Sequence, residues 1–482
     1  MADTQQTLNR ALILHRAGSI AEAATIYRQV LAAEPANADA LHLLGLALKS
    51  EGRLDEALAS IEKAVALRPD FADAIYNLGN TLGGLGRREE AVASFRRAVA
   101  INPGLAIANY NLGNTLRDMG DLEDASDAFR AALTAQPDYA EARHNLANVL
   151  KGLNQVDAAI AAYRETIARK PDLNEAHYNL GLALLLTGDL EEGLEKYEYR
   201  WAVDGFPTPP RNFRQPRWDG KASPGKTLLI HSEQGMGDAI QFCRFLPLIK
   251  GRAGKIVLEC REPLMRLMST LAGVDLVVEA GKPLPAFDLQ APLLSLPQIL
   301  GTRSNSIPAA VPYLRADPAS VELWRARRDN RFTVGLIWAG NRKPDPGRTI
   351  DLSALEPLMD VRGVRLVALQ KDLEPGDAER IAARDGRLDH WGAEFLDFAD
   401  TAAAIEAVDL VISIDTGPAH LAGALNRPTW VFLPFAPDWR WLMMRETSPW
   451  YPSMTLYRQE KRGDWASAIS RVAADLRRRT GA

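Results

Sequence analysis

LLIHSEQGMGDAIQF, residues 228–242, runs from an apolar segment through a glycine-bearing turn into an amphipathic segment. A strand, a loop and a helix in that order form the unit from which parallel sheets with covering helices are built. The dinucleotide-binding fingerprint needs a third glycine after Gly235 and Gly237, and Ile240 holds its place. An acid, Asp238, stands beside the turn. The loop therefore admits two readings: it cradles a cofactor, or it holds a catalytic carboxylate.

Outward from this stretch the same pattern continues. Beyond Lys226, short apolar runs alternate with helical patterns, which predicts a parallel sheet arrangement. Strands are expected at 227–231, 255–260, 332–338, 364–370, 410–414 and 429–433. A second glycine turn, at Gly417, ends another strand, and LRADPASVELWRARRDN (314–330) reads as a helical connector. Two halves that each open with a strand predict two Rossmann-like lobes facing a cleft. The segment 463–479 is expected to be a helix that closes back onto the sheet.

Towards the N-terminus the pattern changes. GFPTPPRNFRQPRWDGKASPG (205–225) is too rich in proline and glycine to be helical. Its Phe206, Phe213 and Trp218 predict packing at a domain junction. Before it, prolines recur at 35, 69, 103, 137 and 171, each 34 residues after the last. A small residue keeps the same step at Ala11, Gly45, Gly79, Gly113, Ala147 and Gly181. So does a bulky one, at Tyr27, Ile61, Phe95, Phe129, Tyr163 and Tyr197. Small residues let two helices approach, the bulky residue fills the gap, and proline ends the second helix. Period and residue types are those of the tetratricopeptide repeat, a helix–turn–helix unit. Six helix pairs are expected over 4–207, the last degenerate where Arg200 and Gly205 replace alanine and proline.

Stacked repeats form a superhelix with a concave groove. Asn77, Asn111, Asn145 and Asn179 share one register position within the first helices, as does Asn9, while Leu43 interrupts the series. Asn80, Asn114 and Asn148 lie one helical turn further on, on the same face. Asparagine is a poor helix former, so its recurrence needs a reason. Either these amides line a groove that holds an extended polypeptide, or YNLGN (76–80 and 110–114) is repeat consensus alone.

The 482 residues carry a net charge of -4 with a pI near 6.1, and the charges are interspersed. That gives no electrostatic footprint for nucleic acid. The two cysteines, Cys243 and Cys260, lack metal-ligand spacing, which predicts neither a zinc site nor a disulfide framework. The opening MADTQQTLNRALILHRAG lacks a signal peptide's basic flank and apolar core, and no run is long enough to span a bilayer. A soluble, cytoplasmic protein is expected.

The sharpest motif is DLVISIDTGPAHLAGALNRPTWVFLP (409–434). A buried strand ends at Asp415, the chain turns through Thr416 and Gly417, and a helix begins at Pro418, where exposed amides make an anion site. The segment resembles the donor loop of bacterial heptosyltransferase-type glycosyltransferases (glycosyltransferase family 9-like), in which Asp-Thr-Gly-x-x-His contacts nucleotide-sugar phosphates. The resemblance implies donor binding by Asp415, Thr416, Gly417 and His420; an ordinary capped turn is the plainer alternative. It extends to IWAGNRKPDPGRTIDL (337–352), implying contacts from Arg348, then Asn341 and Arg342. It also reaches VALQKD (367–372), where Gln370 and Lys371 stand at a strand end. DFADTAAAI (397–405) reads as a helix start capped by Asp400 or Thr401. The tryptophans of DWRWLMMRETSPWYPSM (438–454) wall a sugar pocket or belong to the core.

In that family the first glycine turn faces the acceptor, which assigns Gln234, Gly235 and Gly237 to an acceptor-side loop and Asp238 to the general base. A hydroxyl must lose its proton as it attacks an anomeric carbon. Aspartate is also a favoured helix cap, so base and cap both stand at this point. No Asp-x-Asp pair ends a strand, so neither metal nor cofactor is expected, and helix amides and arginine would stabilise the leaving group.

The expected architecture is an all-α tetratricopeptide superhelix followed by an α/β GT-B fold. It divides into repeats (1–205), linker (206–225), acceptor-side lobe (226–316), connector (317–330) and nucleotide-sugar-binding lobe (331–482). The repeats also resemble those of the protein O-linked N-acetylglucosamine transferases, in which an asparagine ladder holds the substrate polypeptide. Together the resemblances imply inverting, metal-independent transfer from a nucleotide sugar to a Ser/Thr hydroxyl of a polypeptide. Flagellin, with a nonulosonic acid donor, is the acceptor to test first. The alternatives are a heptosyltransferase acting on lipopolysaccharide or another glycan, and an inactive scaffold.

Overall fold

The computed structural model describes residues 2–341, 346–384 and 386–481. They fall into two compact units, Met1–Ala176 and His177–Ala482.

Twelve helices in six consecutive pairs run from Ala2–Arg16 to Leu190–Tyr197 among the described residues. The small–large pairing explains their approach. A Cβ built on Gly79 would lie 2.6 Å from the Phe95 ring, and one on Gly113 would lie 2.7 Å from Phe129. At Gly45 the neighbour is Ile61, at 2.4 Å. Phe95, Phe129 and Ile61 are all buried, so each ring or branch fills the space its partner glycine vacates. Gly113→Val is expected to cost about 1–3 kcal/mol by overpacking this contact. Denaturant unfolding checks it, and a variant as stable as wild type would contradict the packing account.

The second unit holds two sheets in which every paired strand is parallel. The first contains β1 (Ser223–His231), β2 (Ala253–Cys260), β3 (Leu276–Glu279) and β4 (Leu289–Pro292), in the order β3-β2-β1-β4. The second contains β5 (Phe332–Ile337), β6 (Val364–Ala368), β7 (Leu388–His390), β8 (Leu410–Ile414), β9 (Thr429–Leu433) and β10 (Met454–Arg458). Its order is β10-β9-β8-β5-β6-β7. The helix Trp465–Thr480 returns to this sheet, burying Ile469, Val472 and Leu476 in one core with Val334, Leu336, Ile412 and Phe432. The connector forms a shorter helix than its sequence pattern suggests, Pro318–Arg325, begun by the Asp317 carboxylate on Ser320 N.

Strand order fixes where a ligand would bind. In each sheet the chain builds outward on one side of its first strand, then crosses to the other. The resulting crevices open between β1 and β4 and between β5 and β8, at the strands' carboxyl ends. The segments there are 232–235 and 293–295 in the first sheet, and 338–341 and 415–416 in the second.

Candidate active site at the carboxyl ends of two parallel sheets

The loop after β1 turns through Gln234, whose φ is 61°, and enters the helix Met236–Phe242. Gly235 is the N-cap, so Asp238 is the third helical residue rather than the cap its residue type suggests. Its Oδ2 reaches back to accept the Gly235 N–H at 2.8 Å. Its Oδ1 accepts a charge-assisted bond from Arg440 Nη2. Gln234 donates from Nε2 to the Tyr197 hydroxyl at 2.7 Å, and its backbone N–H donates to Thr208 Oγ1.

The loop after β8 enters the helix Gly417–Ala424, with Thr416 as N-cap. The Thr416 hydroxyl makes no capping bond and lies 3.2 Å from Ser413 Oγ. The first-turn amides of this helix therefore have no side-chain cap from Thr416. The loop after β5 meets the same turn: a Cβ on Gly340 would lie 2.9 Å from Thr416 Cγ2. Arg348 donates from Nε and Nη2 to Asn341 O at 3.1 and 2.6 Å, which holds its guanidinium beside this junction. Arg342 lies outside the described residues.

The two helix starts abut. A Cβ on Gly237 would stand 3.1 Å from Gly417 Cα and 3.2 Å from His420 Cδ2, both across from it in the second sheet's half. These distances are shorter than ordinary van der Waals contact, so a side chain there would press on the opposing helix start, and glycine suits this place in a motif that lacks the third glycine.

Burial governs the charges. Asp415 is driven up to about 6 by burial first and by the Asp438 charge second, with Trp441, Arg440 and Arg348 pulling the other way. His420 is driven well below its ordinary range by burial, reinforced by Arg440 and Arg244, so its ring is neutral. The 3.8 Å approach of His420 Nε2 to Asp415 is therefore not an ion pair at neutral pH. The ring is fixed by the Tyr451 hydroxyl, 3.1 Å from Nδ1, and by stacking on Trp441 at 5.2 Å. Thus Trp441 is buried and packs against the site's histidine.

Other expected contacts are committed to the scaffold. Gln370 is buried; its Oε1 accepts from Trp338 N (3.2 Å) and Ala339 N (3.1 Å), while Nε2 donates to Asp372 O. It shapes the β5 loop. Lys371 Nζ donates to Leu396 O at 2.8 Å. The helix Phe398–Ala407 is capped by Asp397, which accepts from Ala399 N and Asp400 N, rather than by Asp400 or Thr401. Asp400 instead accepts the Leu396 N–H, and Thr401 donates to Asp397 O.

Three arginines carry more of the site than the sequence reading gave them. Arg244 is buried and donates to Trp450 O at 2.7 Å and to Tyr313 Oη at 3.0 Å, against the Tyr451 ring. Arg200 enters the crevice of the first sheet. It donates to Glu233 Oε1 and Ser295 Oγ, at 2.8 and 2.7 Å, and to Glu198 Oε1 at 2.7 Å. Burial works against its charge, but Glu233 and Glu198 outweigh that and raise its pKa further. The available signal was its departure from the repeat pattern.

In the first unit the asparagine columns join successive repeats. Asn111 Nδ2 donates to Asn80 Oδ1 at 2.8 Å and to Tyr76 Oη at 3.1 Å; Asn145 does the same to Asn114 (2.9 Å) and Tyr110 (3.3 Å). Asn77 lies 3.0 Å from His42 Nε2, and Asn148 Oδ1 accepts from the Tyr163 hydroxyl. In the second unit, Asn179 holds the same register on the helix Asn174–Thr187. These bonds give the mid-helix asparagines a structural use.

Among the described residues, no group of three or more His, Cys, Asp or Glu side chains could hold a metal ion. Nor is any helix there long and apolar enough to cross a membrane.

With this geometry in place, the comparisons define a class. Residues 359–432, which include Asp415–His420, match glycosyltransferase family 9 (heptosyltransferase). Tetratricopeptide repeat families match 5–29, 47–86, 76–140, 110–150 and 144–208. The chain thus combines tetratricopeptide repeats with a family 9 glycosyltransferase domain. A particular relative is Protein FlbA of Caulobacter vibrioides, 31% identical over 325 residues, covering 61% of this chain. The chain spans 53% of that protein's length. Solved structures that align include MamA (25% identity, 33% of this chain, 94% of that one, TM-score 0.32). Another is YrrB, a TPR protein with an unusual peptide-binding site (24%, 36%, 89%, 0.33). PilW, a type IV pilus biogenesis factor, also aligns (24%, 43%, 95%, 0.38).

Proposed function

We propose that the chain is an inverting glycosyltransferase of the GT-B type. It moves a sugar from a nucleotide-sugar donor to a serine or threonine hydroxyl of a polypeptide held by the repeats. The observation that carries this reading is the abutment of Gly237 on Gly417. It sets the helix start that carries Asp238, from one parallel sheet's crevice, against the other sheet's helix start, where Thr416 supplies no side-chain cap. Asp238 takes the proton of the acceptor hydroxyl as the hydroxyl attacks the anomeric carbon opposite the leaving phosphate. The amides at Gly417, the Thr416 hydroxyl and Arg348 receive the phosphate. Asp415 and His420, with Trp441 and Tyr451, keep that turn in shape. Positive charge at the leaving group comes from Arg348 and the helix amides, so no metal is invoked. The repeats, over 1–205, hold the acceptor, with Asn77, Asn80, Asn111, Asn114, Asn145, Asn148 and Asn179 along one face; flagellin with a nonulosonic acid donor is the first pair to test.

Nucleotide binding tests the donor half directly. In the presence of EDTA, at least one of UDP, GDP, ADP and CMP is expected to raise the melting temperature of the full chain. Arg348→Ala is expected to diminish that rise. No shift with any of the four would contradict a nucleotide-sugar site.

A further inference from the structure

The sequence offers no role for the cation in DWRWL, residues 438–442. In the structure Arg440 is 7% exposed and donates to two carboxylates. Nη1 reaches Asp438 Oδ1 at 2.8 Å, and Nη2 reaches Asp238 Oδ1. These two acids come from different halves of the unit: Asp438 follows β9 of the second sheet, and Asp238 follows β1 of the first. Asp438 is itself fixed, since the same Oδ1 accepts the Arg440 backbone N–H at 3.0 Å. The guanidinium lies 4.7 Å from the Trp439 ring centre and 5.7 Å from that of Phe242, a residue of the Asp238 helix. It is therefore held on both sides before it touches Asp238.

We infer that Arg440 is a positioning residue, reaching from the second sheet's half to clamp the Asp238 carboxylate in its working orientation. The Gly235 N–H fixes one oxygen of Asp238 from within its own loop, and a single bond leaves the carboxylate free to turn about it. The Arg440 bond supplies the second fixed point. Each carboxylate oxygen retains a further lone pair, so both bonds can persist while the acid accepts a proton. A charge-assisted bond to a guanidinium is stronger and more directional than a neutral one. Because the clamp comes from the half that carries the phosphate-type turn, the base is aligned only when that half is in place. The inference rests on Asp238 being the base.

The test compares full-length wild type, Arg440→Ala, Arg440→Lys and Asp238→Asn, using whichever UDP-, GDP-, ADP- or CMP-sugar wild type turns over. Arg440→Ala is expected to lose up to about 100-fold in kcat with little change in donor KM. Millimolar guanidinium is expected to restore part of that loss in Arg440→Ala and none in Asp238→Asn. Arg440→Lys is expected to fall between wild type and Arg440→Ala. A crystal structure of Arg440→Ala gives a readout independent of turnover: the Asp238 side chain is expected to leave its wild-type orientation. Unchanged kcat, loss with no guanidinium rescue, or an unmoved Asp238 overturns the inference. An active Asp238→Asn would instead overturn the assignment of the base, whatever Arg440→Ala does.

Discussion

Asp238→Asn is expected to slow sugar transfer by about 10²–10⁴-fold, the usual contribution of a positioned general base. Asparagine has nearly the same shape but cannot take a proton from a hydroxyl. It also keeps one acceptor oxygen where aspartate has two. The Gly235 N–H and Arg440 Nη2 now use separate oxygens, so the variant satisfies only one of them without rearrangement. Nucleotide binding is expected to stay as in wild type, because Thr416, Gly417 and Arg348 are untouched. Measuring transfer rate and nucleotide-induced melting shift on the same protein separates the two effects. A variant that transfers at the wild-type rate would leave Asp238 only a structural role, through its bonds to Gly235 and Arg440.

Arg200→Ala is expected to destabilise the unit by about 3–5 kcal/mol, the cost of removing one partner from a buried ion pair. Neither the Arg200 nor the Glu233 side chain is exposed to solvent. Burial pushes the Glu233 carboxyl up while the Arg200 charge pulls it back, so the guanidinium is what makes the buried carboxylate tolerable. The same side chain ties Ser295 and Glu198, so the two loops at the β1–β4 crevice and the end of the last repeat helix share one anchor. Denaturant titration of Arg200→Ala and of Arg200→Ala/Glu233→Gln checks this. The double variant is expected to recover part of the loss, because no unpaired charge remains. Equal losses in both variants would mean that packing around Arg200, at Tyr197 and Trp201, matters more than charge.

The repeat half was readable because its determinants are local and periodic. Gly79 and Phe95 stand in one helix pair, and their complementarity recurs with each repeat. The strands with long apolar runs, such as Leu410–Ile414, were equally plain because both faces are buried. Leu276–Glu279, Leu289–Pro292, Leu388–His390 and Met454–Arg458 went unread. They are short edge strands with polar residues at alternate or terminal positions, and their pairing depends on a neighbour supplied by the fold.

The site divides the same way. Asp415–His420 was legible as a strand–turn–helix. The role of Gly237 was not, since the atoms that would crowd a Cβ there belong to Gly417 and His420. The pairings of Arg440 and Arg200 were not legible, because their partner acids, Asp238 and Glu233, are distant in sequence. Gln370 stands at its strand end as expected, and what the sequence did not show is that its Oε1 accepts from the Trp338 and Ala339 amides. The helix at 398 is capped by Asp397 rather than by Asp400 or Thr401 because several acids and hydroxyls cluster at its start, and any of them fits the cap by residue type.

The most direct test of the central claim is the intact mass of flagellin co-expressed with this chain and a nonulosonic acid pathway, with and without Asp238→Asn. Wild type is expected to add whole sugar residues to the flagellin, and Asp238→Asn to leave it unmodified. Flagellin of unmodified mass beside the wild-type chain, with the nucleotide sugar present in the same cells, would contradict the account.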